Sequence, residues 1–326
     1  MSEKVSIIIP VFNAANSLPK CIESCLHQTY TDIEIIIVID GSPDNCLEIA
    51  KKYQEKDNRI IIINQENKGL PLSRRIGFEK SKGYYVYHLD ADDYIEPVTI
   101  ETLLNKINSS NADIVIGGTI YEDKNGEIIT SWISKTSGDK QINYLKDIFV
   151  SDLQPNIWGR LIKRRIFEPV YVSSKFQCGE DYLANILMIC SFSGIKIETE
   201  PALLYHYVVY NGSLTNTWGS EFFMPYTDEI ADILIANNLE EHVMEEWAYF
   251  RVIKSWRYYL RRGGKKYLKN RKYVSDFYLK YYPAVKKKLT LIEQFELNLY
   301  RYSQFAGYQF SRVYVKMLKI TKQPVN

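Results

Sequence analysis

Through the first two hundred residues, short runs rich in β-branched and aromatic residues alternate with stretches whose apolar positions recur every three or four residues. The runs at 5–11, 34–39, 59–64 and 84–89, with a fifth at 113–117, predict strands, and helical periodicity falls between them near 17–28, 44–56, 70–82 and 97–110. Strand, helix, strand in repetition predicts a mostly parallel, Rossmann-like sheet flanked by helices, an α/β fold. Segment 122–132 holds Asn125-Gly126 between apolar residues, which predicts a hairpin and an antiparallel excursion. Helices are expected again at 141–150, 161–168 and 180–193, and from Ser220 onward the pattern is helical and rich in tyrosine. The expected organisation is a domain over 1–217 followed by a helical, basic, aromatic-rich region over 218–326. In its last helix Ile292, Phe295, Leu299, Tyr302, Ala306, Phe310, Val313, Met317 and Ile320 recur at three or four residues and predict one apolar stripe.

Composition adds bounds. With 326 residues, 46% hydrophobic and 25% charged, the chain is an ordinary globular protein with no sign of disorder. The apolar stretch at 5–12 is interrupted by Pro10 and lacks a basic flank, so no signal peptide is expected, and no run reaches membrane-spanning length. Five cysteines (Cys21, Cys25, Cys46, Cys178, Cys190) show no metal-like spacing, and their odd number argues against a disulfide framework. Reduced, mostly buried thiols in a cytoplasmic protein are expected. The net charge of +2 conceals an asymmetry: residues 251–326 carry 19 Lys+Arg against 3 Asp+Glu, leaving 22 against 36 in residues 1–250.

Candidate chemistry sits where the fourth strand ends. Residues 84–97 run through aromatic and β-branched positions onto Asp90, Asp92 and Asp93. Alternation along an extended chain points Asp90 and Asp92 the same way at the carboxyl edge of the sheet, where open α/β sheets bind ligands. Two hard oxygen donors there suit Mn²⁺ or Mg²⁺ bridging to a diphosphate. Asp93 is read as the cap of the following helix, with Glu96 reaching back.

These segments together resemble the inverting family-two glycosyltransferases, enzymes of the GT-A fold that use nucleotide-diphosphate sugars. The matching text is Val5-Ser-Ile-Ile-Ile-Pro-Val-Phe-Asn13, Gln28-Thr-Tyr, Ile36-Ile-Val-Ile-Asp40-Gly-Ser, Asn67-Lys-Gly-Leu with Arg74 and Gly77, Leu89-Asp-Ala-Asp-Asp93, and Gly179-Glu-Asp181. The likeness covers residues 5–215, and the order of the motifs carries its specificity. It departs at Ile39, where the family commonly has a first Asp, at Arg75 in place of Asn, and at Arg160 in place of Lys.

The resemblance implies that Pro10, Phe12, Asn13 and Asp40 hold the nucleoside, with Lys68, Arg74, Asp90 and Ala91 completing the nucleotide-sugar site. Asp40 has two readings, an acceptor for a nucleobase imide N–H or an Asx turn with Gly41 and Ser42. Arg74 is expected to meet phosphate or to be a solvated surface arginine. The implied metal ligands are Asp92 and Asp90, with His206 either a third or a half-buried core residue. Asp181 resembles the family's base, Glu180 being the adjacent alternative, and a dipole-favoured carboxylate at a helix start is the competing reading. Trp158 stacks on the acceptor or belongs to the core.

The resemblance thus implies a metal-dependent, hexosyltransferase-type enzyme moving a sugar from a UDP-sugar to a hydroxyl of a glycan acceptor. Residues 251–326 mix the cations with 16 aromatic residues, including Trp256, Tyr258, Tyr259, Tyr281, Tyr282 and Phe310, which fits a surface on anionic membrane. A lipid-diphosphate carrier for the acceptor, a place on the inner face of the plasma membrane and a part in capsule-type polysaccharide assembly follow as expectations. Packing on the protein, an oligomer interface, nucleic-acid binding through the tail and nucleotidyl transfer are the alternatives.

Overall fold

The computed structural model describes residues 3–138, 140–150, 153–170, 180–209, 223–251 and 280–313 without 304, 305, 308 and 312. Cys178, Gly179, Trp256, Tyr258, Tyr259, Met317 and Ile320, singled out above, lie outside the described residues. The chain divides into two compact units, Met1–Asn216 and Thr217–Asn326.

In the first unit, the strands β1 (Val5–Val11), β2 (Ile33–Asp40), β3 (Ile60–Gln65) and β4 (Tyr85–His88) pair in parallel in the order β3-β2-β1-β4. Every residue of β1 and β2 is buried, as expected for strands covered on both faces. Between them run the helices α1 (Leu18–Leu26), α2 (Cys46–Gln54) and α3 (Leu70–Lys80), as the periodicity predicts. The sheet continues through β8 (Arg160–Lys163), antiparallel to both β4 and β6 (Ile114–Asp123), then through β9 (Ile197–Val209), parallel to β6, and the two-residue strand β5 (Tyr94–Ile95), antiparallel to β9, while β7 (Ile128–Trp132) forms the expected hairpin with β6. Helices α4 (Thr99–Ser110), α5 (Gln141–Val150), α6 (Arg164–Phe167) and α7 (Glu180–Cys190) complete the unit. Cys21, Cys25, Cys46 and Cys190 are free and buried.

Two expectations are corrected here. The helix expected at 161–168 is the strand β8 followed by the single turn α6: four residues are too few to show a period, and pairing with β4 and β6 decides the conformation. Asp93 does not cap α4, because β5 intervenes and Val98 stands at the cap position with no side-chain bond. Instead the Asp93 carboxylate is buried and accepts from the Tyr205 hydroxyl at 2.6 Å and the Val208 N–H at 2.9 Å.

The glycine of α3 sets the depth of that helix. A Cβ on Gly77 would come within 2.5 Å of Ile8 Cγ2 and 3.2 Å of Val38 Cγ2, so its absence lets α3 lie close on β1 and β2. Arg74, one turn earlier on the same helix, is thereby buried.

The second unit contains the helices α8 (Phe223–Ala236), α9 (Met244–Tyr249) and α10 (Leu291–Tyr302) and 3₁₀ turns at Glu241–Val243 and Lys286–Lys288, and the chain is also helical over 280–285 and at the described positions of 306–313. Ile230, Leu234, Trp247, Tyr281 and Leu297 are buried, and Arg251 Nη1 donates to the Tyr281 hydroxyl at 2.7 Å. Helix α10 starts with a Thr290–Glu293 capping box and ends at Tyr302, Ser303 being extended. The single stripe expected from 292 to 320 is therefore broken: Phe310 packs edge-on against Phe295 at 5.1 Å, whereas fifteen residues of unbroken helix would separate them by about 22 Å.

Candidate active site

The carboxyl ends of β1, β2 and β4 bring three loops to one sheet edge. At the first, Pro10 is buried, Phe12 is 54% exposed, and Asn13 adopts φ +52° while its N–H donates to Ser42 Oγ at 2.7 Å. Ser42 in turn donates to Asp44 at 2.6 Å, whose other oxygen accepts from the Ala15 N–H at 2.8 Å, tying the β1 and β2 loops together.

Asp40, at the end of β2, is 3% exposed. Its carboxylate accepts from Gln65 Nε2, the Lys68 N–H and the Gly69 N–H, each at 2.8 Å. It thus anchors the loop that starts α3 rather than closing an Asx turn with Gly41 and Ser42. Gly41, at φ +63°, permits this closure, since a Cβ there would meet the Asn67 nitrogen at 2.5 Å. The Lys68 side chain stays exposed.

Beyond β4 the chain leaves the extended conformation. The Asp93 N–H donates to the Asp90 carbonyl at 3.1 Å, so Asp90, Ala91 and Asp92 lie on a turn rather than on alternating strand positions. Ala91 is buried and Asp92 is exposed. The Tyr205 hydroxyl spans this turn, accepting from the Asp90 N–H at 3.3 Å as it donates to Asp93. Trp158 stacks on Tyr205 at 4.3 Å and on Tyr207 at 5.4 Å, and at 7% exposure it belongs to the core that backs the turn. Although Asp92 keeps surface in water, crowding by protein and then the charge of Asp90 push it up to about 6. Burial, Asp92 and Asp90 push Asp93 far above the ordinary carboxylate range.

Tyr205 was not among the residues the sequence picked out. The signal is strand parity, readable once β9 is known to be a strand: positions 205 and 207 share a face that 206 does not. Tyr205→Phe should remove a partner from buried Asp93 and cost about 1–3 kcal/mol of stability in a denaturant titration. Unchanged stability would mean that the Val208 N–H alone satisfies Asp93.

His206, on the other face, is not brought to Asp90 and Asp92. Its ring stacks on Tyr94 at 4.1 Å, with Nδ1 at 3.2 Å from Glu122 and Nε2 at 2.7 Å from Glu96. Both ring nitrogens are thus engaged by glutamates rather than by Asp90 or Asp92. Among the described residues no group of three or more His, Cys, Asp or Glu side chains is arranged to hold a metal ion.

The centre of the site is Arg74. Its Nη2 donates to Asp90 at 2.8 Å, and its Nη1 donates to Asp181 at 2.5 Å and Glu180 at 3.2 Å. The side chain is 3% exposed, so this is an interior cation bridging the turn after β4 to the start of α7. The surface-arginine reading is excluded, and no phosphate is needed to explain its burial. Burial raises Asp181 above its ordinary value, opposed by Arg74 and reinforced by Asp90. Burial and the charge of Asp181 likewise raise Glu180.

Helix α7 is braced behind these carboxylates. Asn185, one turn on, donates through Nδ2 to the Asp181 carbonyl at 2.8 Å and the Pro155 carbonyl at 2.7 Å, and accepts from Arg160 Nη1 at 2.6 Å. Arg160 is fully buried and also donates to the Gln154 carbonyl at 3.0 Å. Asp181 is thus fixed both by Arg74 in front and by the 154–160 segment behind.

Comparison with protein-family models matches residues 6–167 to "Glycosyl transferase family 2". Glycosyltransferase GlyA of Streptococcus pneumoniae serotype 4 is 32% identical over 258 residues, which make up 74% of this chain and 36% of GlyA. EpsH of Bacillus subtilis strain 168 is 30% identical over 258 residues, 77% of this chain and 75% of EpsH. The chain therefore spans about a third of GlyA but three quarters of EpsH. Among solved structures, S. aureus TarS 1-349 superimposes with a TM-score of 0.71 at 18% identity, covering 96% of this chain and 91% of that one. Its complex with UDP-GlcNAc gives 0.73 at 17% identity, over 96% and 92% of the two chains. The fold is that of TarS, the GT-A arrangement the sequence resemblance implies, and by its family match and its relatives the chain belongs to glycosyl transferase family 2.

Proposed function

We propose that the chain is an inverting, metal-dependent glycosyltransferase of hexosyltransferase type that transfers a sugar from a UDP-sugar to a hydroxyl of a glycan acceptor. The observation that supports this best is the buried Arg74 linking Asp90, on the turn after β4, to the Glu180–Asp181 pair that opens α7. One end of that linkage suits a donor diphosphate and the other a base for an acceptor hydroxyl.

In this reading Asp181 accepts the acceptor's proton as the hydroxyl attacks the anomeric carbon opposite the leaving diphosphate, Glu180 being the alternative base. Pro10, Phe12 and Asn13 line the nucleoside end, and Asp40 holds Lys68 and Gly69 in place beside it. Asp90 and Asp92, with oxygen donors on a turn whose charge Arg74 only partly offsets, suit a hard divalent cation, Mn²⁺ or Mg²⁺. Such an ion would supply electrostatic stabilisation of the departing diphosphate. The UDP-GlcNAc complex of TarS supports a UDP-sugar donor by analogy of fold. The acceptor is read as a saccharide on a lipid diphosphate carrier, worked on at the inner face of the plasma membrane during cell-envelope or capsule-type polysaccharide synthesis. The basic region over 218–326 supplies the membrane contact and follows the catalytic domain over 1–217. No helix among the described residues is long and apolar enough to cross a membrane.

The test is donor binding and hydrolysis across UDP-, dTDP- and GDP-sugars, with and without Mn²⁺, for wild type and Asp92→Ala. Metal-dependent release of UDP from one donor, lost in the variant, is expected. Absence of binding to every donor with any metal would overturn the reading.

A further inference from the structure

Helix α10 carries an apolar face that stays exposed among the described residues, Phe310 meeting it only edge-on at Phe295. Leu291, Ile292, Phe295 and Tyr302 share one side and are 82%, 45%, 52% and 80% exposed, while Glu296, Leu297 and Tyr300 on the opposite side are buried. A contiguous patch of this kind is uncommon on a surface that meets only water.

Two features select what covers it. The first is the backbone: α10 is a closed, capped helix, so the patch offers apolar side chains and no unpaired strand edge. The second is charge. Immediately before α10 the 3₁₀ turn Lys286–Lys288 sets three exposed lysines at its start, of which Lys288 is tied to Glu245 at 3.0 Å and Glu246 at 3.5 Å. Arg301 lies exposed near the other end, within a segment of 19 Lys+Arg against 3 Asp+Glu. An apolar face with cations at both ends complements a bilayer interface bearing anionic headgroups, whereas a second copy would set like charges against each other.

We propose that the outer face of α10, with the Lys286–Lys288 turn, docks on an anionic lipid surface. The inference rests on the membrane placement of the proposed function and names the surface that achieves it. Apolar side chains enter the headgroup region as the lysines meet lipid phosphates, so both contributions are required.

The experiment is cosedimentation of the full-length protein with phosphatidylcholine vesicles, with and without phosphatidylglycerol, at low and high salt. Binding should require phosphatidylglycerol and weaken with salt. Ile292→Ser with Phe295→Ser should reduce it about tenfold. Lys286→Glu with Lys287→Glu should reduce it by roughly tenfold or more. All four positions are exposed, so UDP-sugar binding by the same preparations should match wild type. Failure of wild type to bind phosphatidylglycerol vesicles overturns the proposal, as does wild-type affinity in both variants. Self-association that disappears in the apolar variant, without vesicle binding, would assign the face to a second copy and equally overturn it. Donor binding without vesicle binding defeats only the docking surface; vesicle binding without donor binding defeats only the transferase reading.

Discussion

Asp181→Asn is expected to slow sugar transfer by roughly two to four orders of magnitude while leaving donor binding intact, the range removed with a general base. The substitution keeps the shape of the side chain and its place beside Arg74 and takes away only the capacity to accept a proton. The pH dependence sharpens the expectation. Burial raises the Asp181 carboxyl despite Arg74, so the base is lost to protonation at a pH above the usual carboxylate range. In wild type, kcat/KM should therefore climb through a rising limb on the acid side, and the residual rate of the Asn variant should lack that limb. Transfer measured across pH for both proteins checks it. An Asn variant that retains its rate, beside a Glu180→Gln variant that loses it, would move the base to Glu180.

How much of this was legible in the chain depends on how local the cause was. β1 was found at its observed bounds and β2, β3, α3 and α5 within a residue or two, because parallel strands covered on both sides and amphipathic helices leave periods long enough to read. β8 and β5 were missed: four and two residues carry no period, and only pairing with neighbours distant in sequence makes them strands. The site shows the same division. Asp90, Asp92, Glu180 and Asp181 could be put forward as candidates from motif order, since each stands at the end of a readable element. What each carboxylate touches could not. Asp40 turned out to hold the 65–69 loop, Asp93 to be gripped by β9, and His206 to lie between Glu96 and Glu122, all through bonds spanning tens of residues. The parity that sets Tyr205 and Tyr207 on one face and His206 on the other could be read only once β9 was seen to be a strand, an element absent from the sequence reading.

Arg74→Gln should be the most damaging single change in the first unit, costing roughly 3–5 kcal/mol of stability, because it leaves carboxylates buried without their cation. Three acids share that guanidinium, and the neutral amide can donate to one or two of them without cancelling charge. The pH sign follows from the direction of the shifts. Burial raises Glu180 and Asp181 even in the presence of Arg74, so their contribution is most favourable below the unfolded carboxylate pKa and is lost as pH rises through the folded values. Removing Arg74 removes the influence that lowers both, so the variant should approach wild type at about pH 5 and fall furthest behind at about pH 9. Denaturant titrations at the two pH values measure this. Arg74→Lys, which keeps the charge but not the fork, should fold better than the Gln variant yet transfer slowly, since one ammonium cannot hold Asp90 and Asp181 in register. Adding Glu180→Gln to Arg74→Gln should restore part of the stability at the higher pH, a coupling expected only if the arginine's main structural task is to neutralise these carboxylates. Equal destabilisation at both pH values, with no rescue, would mean that Arg74 acts through packing and that its link between the two ends of the site is incidental.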